Sequence, residues 1–296
     1  MDKQIFWISS YPKSGNTLLR SILSALFFTK NGSFSLEKLK NIAQFDLTAL
    51  IEKNKLLFKD DYYKLGDTGI FYKYMEKLQS RKSLSLKEDF FFLKTHSGLF
   101  EIGGNPFTTE KVSRGIIYIL RDPRDICISY SRHMNISLNE SIDFMINDYA
   151  SAHWVESKIK GDIFMFHNRP KSFYSSWDKH VLSWTSIDWK VPKMILRYED
   201  LVYDKKVVIK KIISFFEKNY KFRFKNIDEK IKNILKSTEF TKLKKEELSA
   251  GFIEATENNR FFAVGKKNQW KSKLNNTQVE KIEDKLGEVM KKFKYI

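Results

Sequence analysis

Apolar positions along this chain follow two different periods. Ile5-Phe6-Trp7-Ile8, Phe90-Phe91-Phe92-Leu93, Gly115–Leu120 and Lys193–Tyr198 are short, nearly unbroken apolar runs, the pattern of strands buried on both faces. Between them the spacing becomes helical. Leu18, Leu19, Ile22, Leu23, Leu26 and Phe27 form one such stripe, and Val207, Val208, Ile212, Ile213, Phe215 and Phe216 form another behind Asp204 as its predicted cap. Near the end, Thr277 and Glu280 have capping-box spacing before Val279, Ile282, Leu286, Val289 and Phe293. No repeat and no linker rich in Gly, Ser or Pro interrupts the series. The alternation predicts an α/β fold: a single domain over residues 1–296, with a mostly parallel central sheet flanked by helices. Ligands of such sheets bind beyond the carboxyl ends of the strands, and the polar residues expected there are Lys13, His96 and Arg121.

Composition narrows the classes. With 296 residues and 42% hydrophobic content the chain can bury a large core. No apolar run reaches the length of a membrane span, and no signal-peptide pattern precedes the first turn. The single cysteine, Cys127, rules out an intrachain disulfide framework and predicts a reducing, cytoplasmic compartment. His96, His133, His153, His167 and His180 show no zinc-ligand spacing, so no metal is expected. The formal charge of +17 is uneven: residues 201–296 hold 24 Lys/Arg against 13 Asp/Glu, hence +11 there. Much of that is Lys interleaved with Glu or Asp along helices, and no nucleic-acid motif accompanies it. This is read first as a solvated, Lys-biased surface and otherwise as attraction to a polyanionic small molecule or an acidic acceptor; a nucleic-acid partner is not expected.

Two segments carry the chemistry. The first is Tyr11-Pro12-Lys13-Ser14-Gly15-Asn16-Thr17-Leu18, a turn between a strand and a helix. That arrangement presents free backbone N–H groups and the positive end of a helix dipole to a phosphate. It is not the common nucleotide P-loop, which needs Gly-x-x-x-x-Gly-Lys-Ser/Thr, because Lys13 here precedes Ser14-Gly15. The second is Arg121-Asp122-Pro123-Arg124-Asp125-Ile126-Cys127-Ile128-Ser129. Arg121 leaves a strand as a fork able to grip a phosphate through two parallel hydrogen bonds. Pro123 stops the strand, Asp125 is placed to start a helix, and Ser129 follows one turn later, where it could join Arg121 on the same anion.

Residues 11–17 resemble the 5′-phosphosulfate loop, Tyr-Pro-Lys-Ser-Gly-Thr-Thr, of sulfotransferases that use 3′-phosphoadenosine 5′-phosphosulfate (PAPS). Residues 121–129 resemble the 3′-phosphate motif of that family, Arg-Asn/Asp-Pro-Lys/Arg-Asp-x-x-x-Ser. Lys94-Thr95-His96 is similar to its Lys-Thr-His, whose histidine is the general base. Ser176-Trp177, His180-Val181 and Trp184 resemble a stretch read here as packing. Tyr198-Glu199-Asp200-Leu201 resembles the element whose tyrosine touches adenine, and Thr238-Glu239-Phe240 the one that adds a hydroxyl and a ring at the base. Gly265 and Trp270 keep the spacing of the terminal Gly-x-x-Gly-Asp-Trp segment. The resemblance runs from about residue 5 to 275 and weakens toward the C-terminus. Leu18 stands where the family often has Trp, Asn16 where it has Thr, and Ala263-Val264-Gly265 where cytosolic members have Arg-Lys-Gly. Arg260, Lys266 and Lys267 are the cations near that lost arginine.

The resemblance implies a PAPS-dependent sulfotransferase, with PAPS as donor, 3′-phosphoadenosine 5′-phosphate (PAP) as product and no metal. His96, Lys13 and Lys94 would be catalytic. Lys13, Ser14, Gly15, Asn16, Thr17, Leu18, Arg121, Ser129, Tyr198, Thr238, Phe240, Gly265 and Lys266 would bind the donor. The acceptor, a hydroxylated small molecule or a glycan, is expected above the sheet among residues 30–90, 97–112 and 134–172, which mix aromatics with Lys. A P-loop kinase would need a complete phosphate loop and a magnesium carboxylate after a strand, and neither is present. A non-catalytic anion binder would have no need of Lys13, Lys94 and His96 together.

Overall fold

The computed structural model describes residues 3–45, 47–85, 88–152, 172–252, 254–255 and 260–296. Its central sheet has five strands: β1 (Ile5–Ser10), β2 (Ala43–Gln44), β3 (Phe91–Thr95), β4 (Ser113–Leu120) and β5 (Lys193–Arg197). They lie in the order β2-β3-β1-β4-β5, and every pairing is parallel. The chain leaves β1 toward β2 and β3 and later returns to its other side as β4. The carboxyl end of β1 is therefore the point where strand order reverses, the usual ligand crevice of open α/β sheets. Register sets what meets there: Ile8 is opposite Lys94, Ser9 opposite Thr95, and Ser10 opposite Ile119.

Strand residues alternate between two cores. Phe6, Ile8, Ile117, Ile119 and Leu196 pack with helices α1 (Asn16–Phe28), α6 (Lys205–Tyr220) and α7 (Ile227–Ser237). Ile5, Trp7, Ile116, Tyr118 and Leu120 face the other way. There they meet α2 (Pro123–Met134), α3 (Leu138–Ile146), α4 (Trp177–Thr185) and the last helix, α9 (Asn276–Lys292). Burial on both faces is why the strands read as continuous apolar runs. Two further helices bear on the site, α5 (Tyr198–Tyr203) and α8 (Phe240–Ala250).

Three local expectations are corrected. Asp204 is the N-cap residue of α6 but its side chain makes no capping bond. The capping box of α9 is formed by Asn275 and Gln278, two residues before Thr277 and Glu280, because Asn275 is the residue with extended backbone there. Asp125 does not start α2: Asp122 caps it, accepting from the Arg124 amide at 2.9 Å, with Pro123 in the first turn. The Asp125 carboxylate instead accepts from the Asn268 (2.7 Å) and Trp270 (3.1 Å) amides, tying the C-terminal segment to α2. Asn268 has φ +59°, which suits the place of the family's second glycine.

Candidate functional site

The turn after β1 is bent by two left-handed residues, Lys13 (φ +64°) and Gly15 (φ +97°). At Gly15 a side chain is excluded on a second ground, since a Cβ there would lie 2.4 Å from the Tyr198 ring. Gly15 caps α1 without a side-chain hydrogen bond, so the first amides of the helix have no intrahelical acceptor. Asn16 holds the loop to β1 by donating through Nδ2 to the Ile8 carbonyl and the Ser10 hydroxyl, both at 3.2 Å. Ser14 is buried with its hydroxyl unpartnered among the described residues, and Leu18 packs at the edge of the core around α1.

A carboxylate of the protein itself lies in the loop's cradle. Glu254 accepts a hydrogen bond from Thr17 Oγ1 at 2.7 Å, pairs with Arg20 Nη1, and has Lys94 Nζ 4.0 Å away. Burial alone would raise its pKa, but Lys94, Arg20 and Thr17 outweigh that and hold it at about 2. The cations are shifted the opposite way. Burial lowers Lys13 to about 7 and Lys94 to about 8, each only partly restored by Glu254. Lys13 Nζ also lies 4.2 Å over the Phe261 ring, and Lys94 Nζ donates to Gln44 Oε1 at 3.0 Å.

His96 follows β3 directly and leans on the end of β1. Its Nδ1 is 2.8 Å from the Ser10 carbonyl, a group that only accepts, so Nδ1 carries the proton and Nε2 keeps its lone pair. Burial, then the Lys94 charge, hold His96 well below the ordinary histidine range, which keeps it neutral. Sequence reasoning treated His180 and Trp184 as packing, and the structure gives them more to do. His180 Nε2 donates to the His96 carbonyl at 3.0 Å while its Nδ1 accepts from the Tyr118 hydroxyl at 2.9 Å. Trp184 Nε1 donates to the Ser97 carbonyl at 2.9 Å. Both therefore hold the backbone that carries the histidine.

The second motif meets the first. Arg121 Nη1 donates to the Lys13 carbonyl at 2.8 Å, its guanidinium stacks 4.2 Å over the Tyr198 ring, and its Nε has no partner among the described residues. Ser129 is buried on α2. Farther along, Phe240 packs on Gly265, where a Cβ would come within 2.4 Å of the ring. Thr238 is fully buried and donates to the Ile234 carbonyl at 2.8 Å. Lys266 is exposed, and Lys267 Nζ lies 4.0 Å over the Tyr203 ring. The loop, Lys94, His96, Arg121 and Tyr198 are thus gathered into one crevice, while Lys266 stands at the surface. Sequence reasoning missed Glu254, Arg20 and Phe261, whose partners are far away in the chain. Of the acceptor-side aromatics, Phe34, Phe45, Phe58 and Tyr72 are core, and Trp154, Phe164 and Phe166 lie outside the described residues.

A parallel α/β sheet with an anion cradle at its switch point, beside a neutral and oriented histidine, defines a group-transfer protein for phosphorylated or sulfated compounds. The chain belongs to the sulfotransferase family: the sulfotransferase domain matches residues 3–294. It is 23% identical over 291 residues to flavonol 3-sulfotransferase of Flaveria bidentis, covering 95% of this chain and 80% of that one. It is 24% identical over 243 residues to luciferin sulfotransferase of Photinus pyralis, covering 80% of this chain and 56% of that protein's length. Among solved structures, retinol dehydratase in complex with androsterone and inactive cofactor PAP has a similar fold. That match has a TM-score of 0.59 at 17% identity, over 98% of this chain and 82% of the other.

Proposed function

We propose that this protein moves the sulfonate of PAPS onto the hydroxyl of a small acceptor, with His96 as general base. The observation that carries this reading is the hydrogen bond from His96 Nδ1 to the Ser10 carbonyl, made beside a cradle of Lys13, Thr17 and Lys94 that already holds a carboxylate. That carboxylate tests the fit: an anion of this protein's own is stable there, and among the described residues Ser14 Oγ and Arg121 Nε are buried donors without a partner.

Ser14, Gly15, Asn16, Thr17 and Lys13 would hold the 5′-phosphosulfate, Arg121 and Ser129 the 3′-phosphate, and Tyr198, Phe240, Leu18, Thr238, Gly265 and Lys266 the nucleoside side. The acceptor oxygen forms a bond to sulfur as the bond from sulfur to the bridging phosphosulfate oxygen breaks. The acceptor proton passes to His96 Nε2, leaving a sulfate ester and PAP. Lys13 steadies the bridging oxygen as it gains charge, and Lys94 the sulfonate, so positioning and fixed cations do most of the catalysis. Glu254 competes with the donor for Thr17 and Lys94 and must leave them when the donor enters. A cytoplasmic setting is the reading that the single cysteine supports, since Cys127 alone can form no intrachain disulfide. Titration with PAP and ATP tests the donor assignment, and equal affinity for the two would defeat it. Labelled PAPS with a panel of hydroxylated metabolites and glycans then identifies the acceptor.

A further inference from the structure

The chain after α9 folds back onto the motif that carries Arg121. Lys294 has φ +59°, which turns the backbone so that the Tyr295 amide donates to the Met290 carbonyl at 2.9 Å. The Tyr295 ring is then met by the Arg197 guanidinium at 4.4 Å and by the Trp177 ring at 6.4 Å. Its carbonyl accepts from Arg124 Nη2 at 2.9 Å, and its hydroxyl donates to Glu199 Oε2 at 3.1 Å. Burial, then the Glu199 charge, push the phenol far above its ordinary value, so it keeps its proton and acts as the donor.

Glu199 is the link to the site. Its other oxygen, Oε1, accepts at 3.1 Å from the amide of Asp122, the residue that follows Arg121. Its neighbour in the chain is Tyr198, on whose ring the Arg121 guanidinium stacks at 4.2 Å. One carboxylate thus holds both the peptide behind Arg121 and the start of α5, which carries the ring beneath it. The Glu199 side chain is only 12% exposed, and its ion-pair partner, Arg197 Nε, is 3.8 Å away, too far for a hydrogen bond. Without the Tyr295 hydroxyl, Oε2 would be a buried charged oxygen short of a donor. Turning toward Arg197 would relieve it and draw Oε1 from the Asp122 amide.

We infer that Tyr295 is a positioning residue of the nucleotide site: through Glu199 it holds the Asp122 amide and the Tyr198 ring where they aim the Arg121 fork at the 3′-phosphate. The inference rests on the donor assignment above. A guanidinium that grips a phosphate through two parallel bonds is more sensitive to its aim than a point charge would be. Loosening the clamp therefore costs affinity for the 3′-phosphate and not for the rest of the nucleotide.

Calorimetric titration of PAP and of adenosine 5′-monophosphate (AMP), which lacks the 3′-phosphate, into the full chain tests this. The unaltered protein should bind PAP far more tightly than AMP. Tyr295→Phe keeps the ring and removes the hydroxyl, and it should weaken PAP binding by about tenfold with AMP affinity unchanged. Added to Arg121→Ala, the same substitution should cause no further loss, because the group it positions is gone. Glu199→Gln should reproduce the PAP-specific loss, since one of its two terminal atoms can no longer accept. Unchanged PAP affinity in Tyr295→Phe would overturn the inference. PAP and AMP weakened alike would also overturn it, leaving Tyr295 a packing residue, as would a further tenfold loss when Tyr295→Phe is added to Arg121→Ala. Equal binding of PAP and AMP by the unaltered protein would instead defeat the donor assignment itself.

Discussion

Glu254→Gln should make this protein less stable and a better nucleotide binder at the same time. A carboxyl that ordinarily titrates at 4.5 and is held at about 2 favours its charged form by about 3 kcal/mol over the unfolded chain. The source is its contact with Thr17 Oγ1 at 2.7 Å, its pair with Arg20, and Lys94 Nζ at 4.0 Å. Glutamine keeps an acceptor for Thr17 and removes the charge, so Lys94 and Arg20 lose their buried counter-ion. Breaking such a pair costs about 3–5 kcal/mol, and the retained hydrogen bond puts the expectation at the lower end. The melting temperature of the free protein should fall by about 5–10 °C. The donor, however, no longer has to displace a carboxylate, and relief of about 3 kcal/mol corresponds to at most about two powers of ten in Kd. We expect PAP to bind about 10- to 100-fold more tightly to Glu254→Gln and to recover the lost stability when saturating. Acid titration gives an independent check. Because the folded pKa lies below the unfolded one, the contribution of Glu254 is complete above about 4.5 and disappears as pH falls toward about 2. The variant should lack that portion of the acid loss. A Glu254→Gln protein that melts lower but binds PAP no better than the original would refute the competition.

Three further outcomes are expected. His96→Ala should abolish turnover while leaving PAP affinity nearly unchanged, and the acid limb of the unaltered enzyme should lie below the ordinary histidine value because burial and Lys94 oppose protonation; turnover close to normal in the variant would place the base elsewhere. Since Lys13 titrates at about 7 in the free protein and its charged form is the one an anion selects, PAP affinity should weaken as pH rises from 7 to 9, whereas a flat calorimetric profile would remove Lys13 from the cradle. Arg121→Ala should cost about 2–5 kcal/mol of PAP binding and most of the preference over ATP, measured in the same titrations.

Much of the architecture was legible because it is written locally. A buried parallel strand must be a short apolar run, and a phosphate-binding turn needs residues that tolerate left-handed backbone, so β1, the loop and α1 could be read from residues 5–28 alone. The same holds for β4 with Arg121 and the helix after it, and for β3 with Lys94 and His96 at its end. Cap assignments at Asp125 and Thr277 failed because several polar residues competed for each helix start, and backbone angles rather than composition chose among them. What only the tertiary structure decided is which distant groups share the crevice. Glu254 is 237 residues from Thr17, and Asn268 is 143 residues from Asp125. His180, 84 residues from His96, looks from sequence like any core histidine until the strand end is folded against it. Side-chain identity sets what a residue can do, but electrostatics depends on separation and burial, and those exist only after the sheet brings the ends of separate strands together.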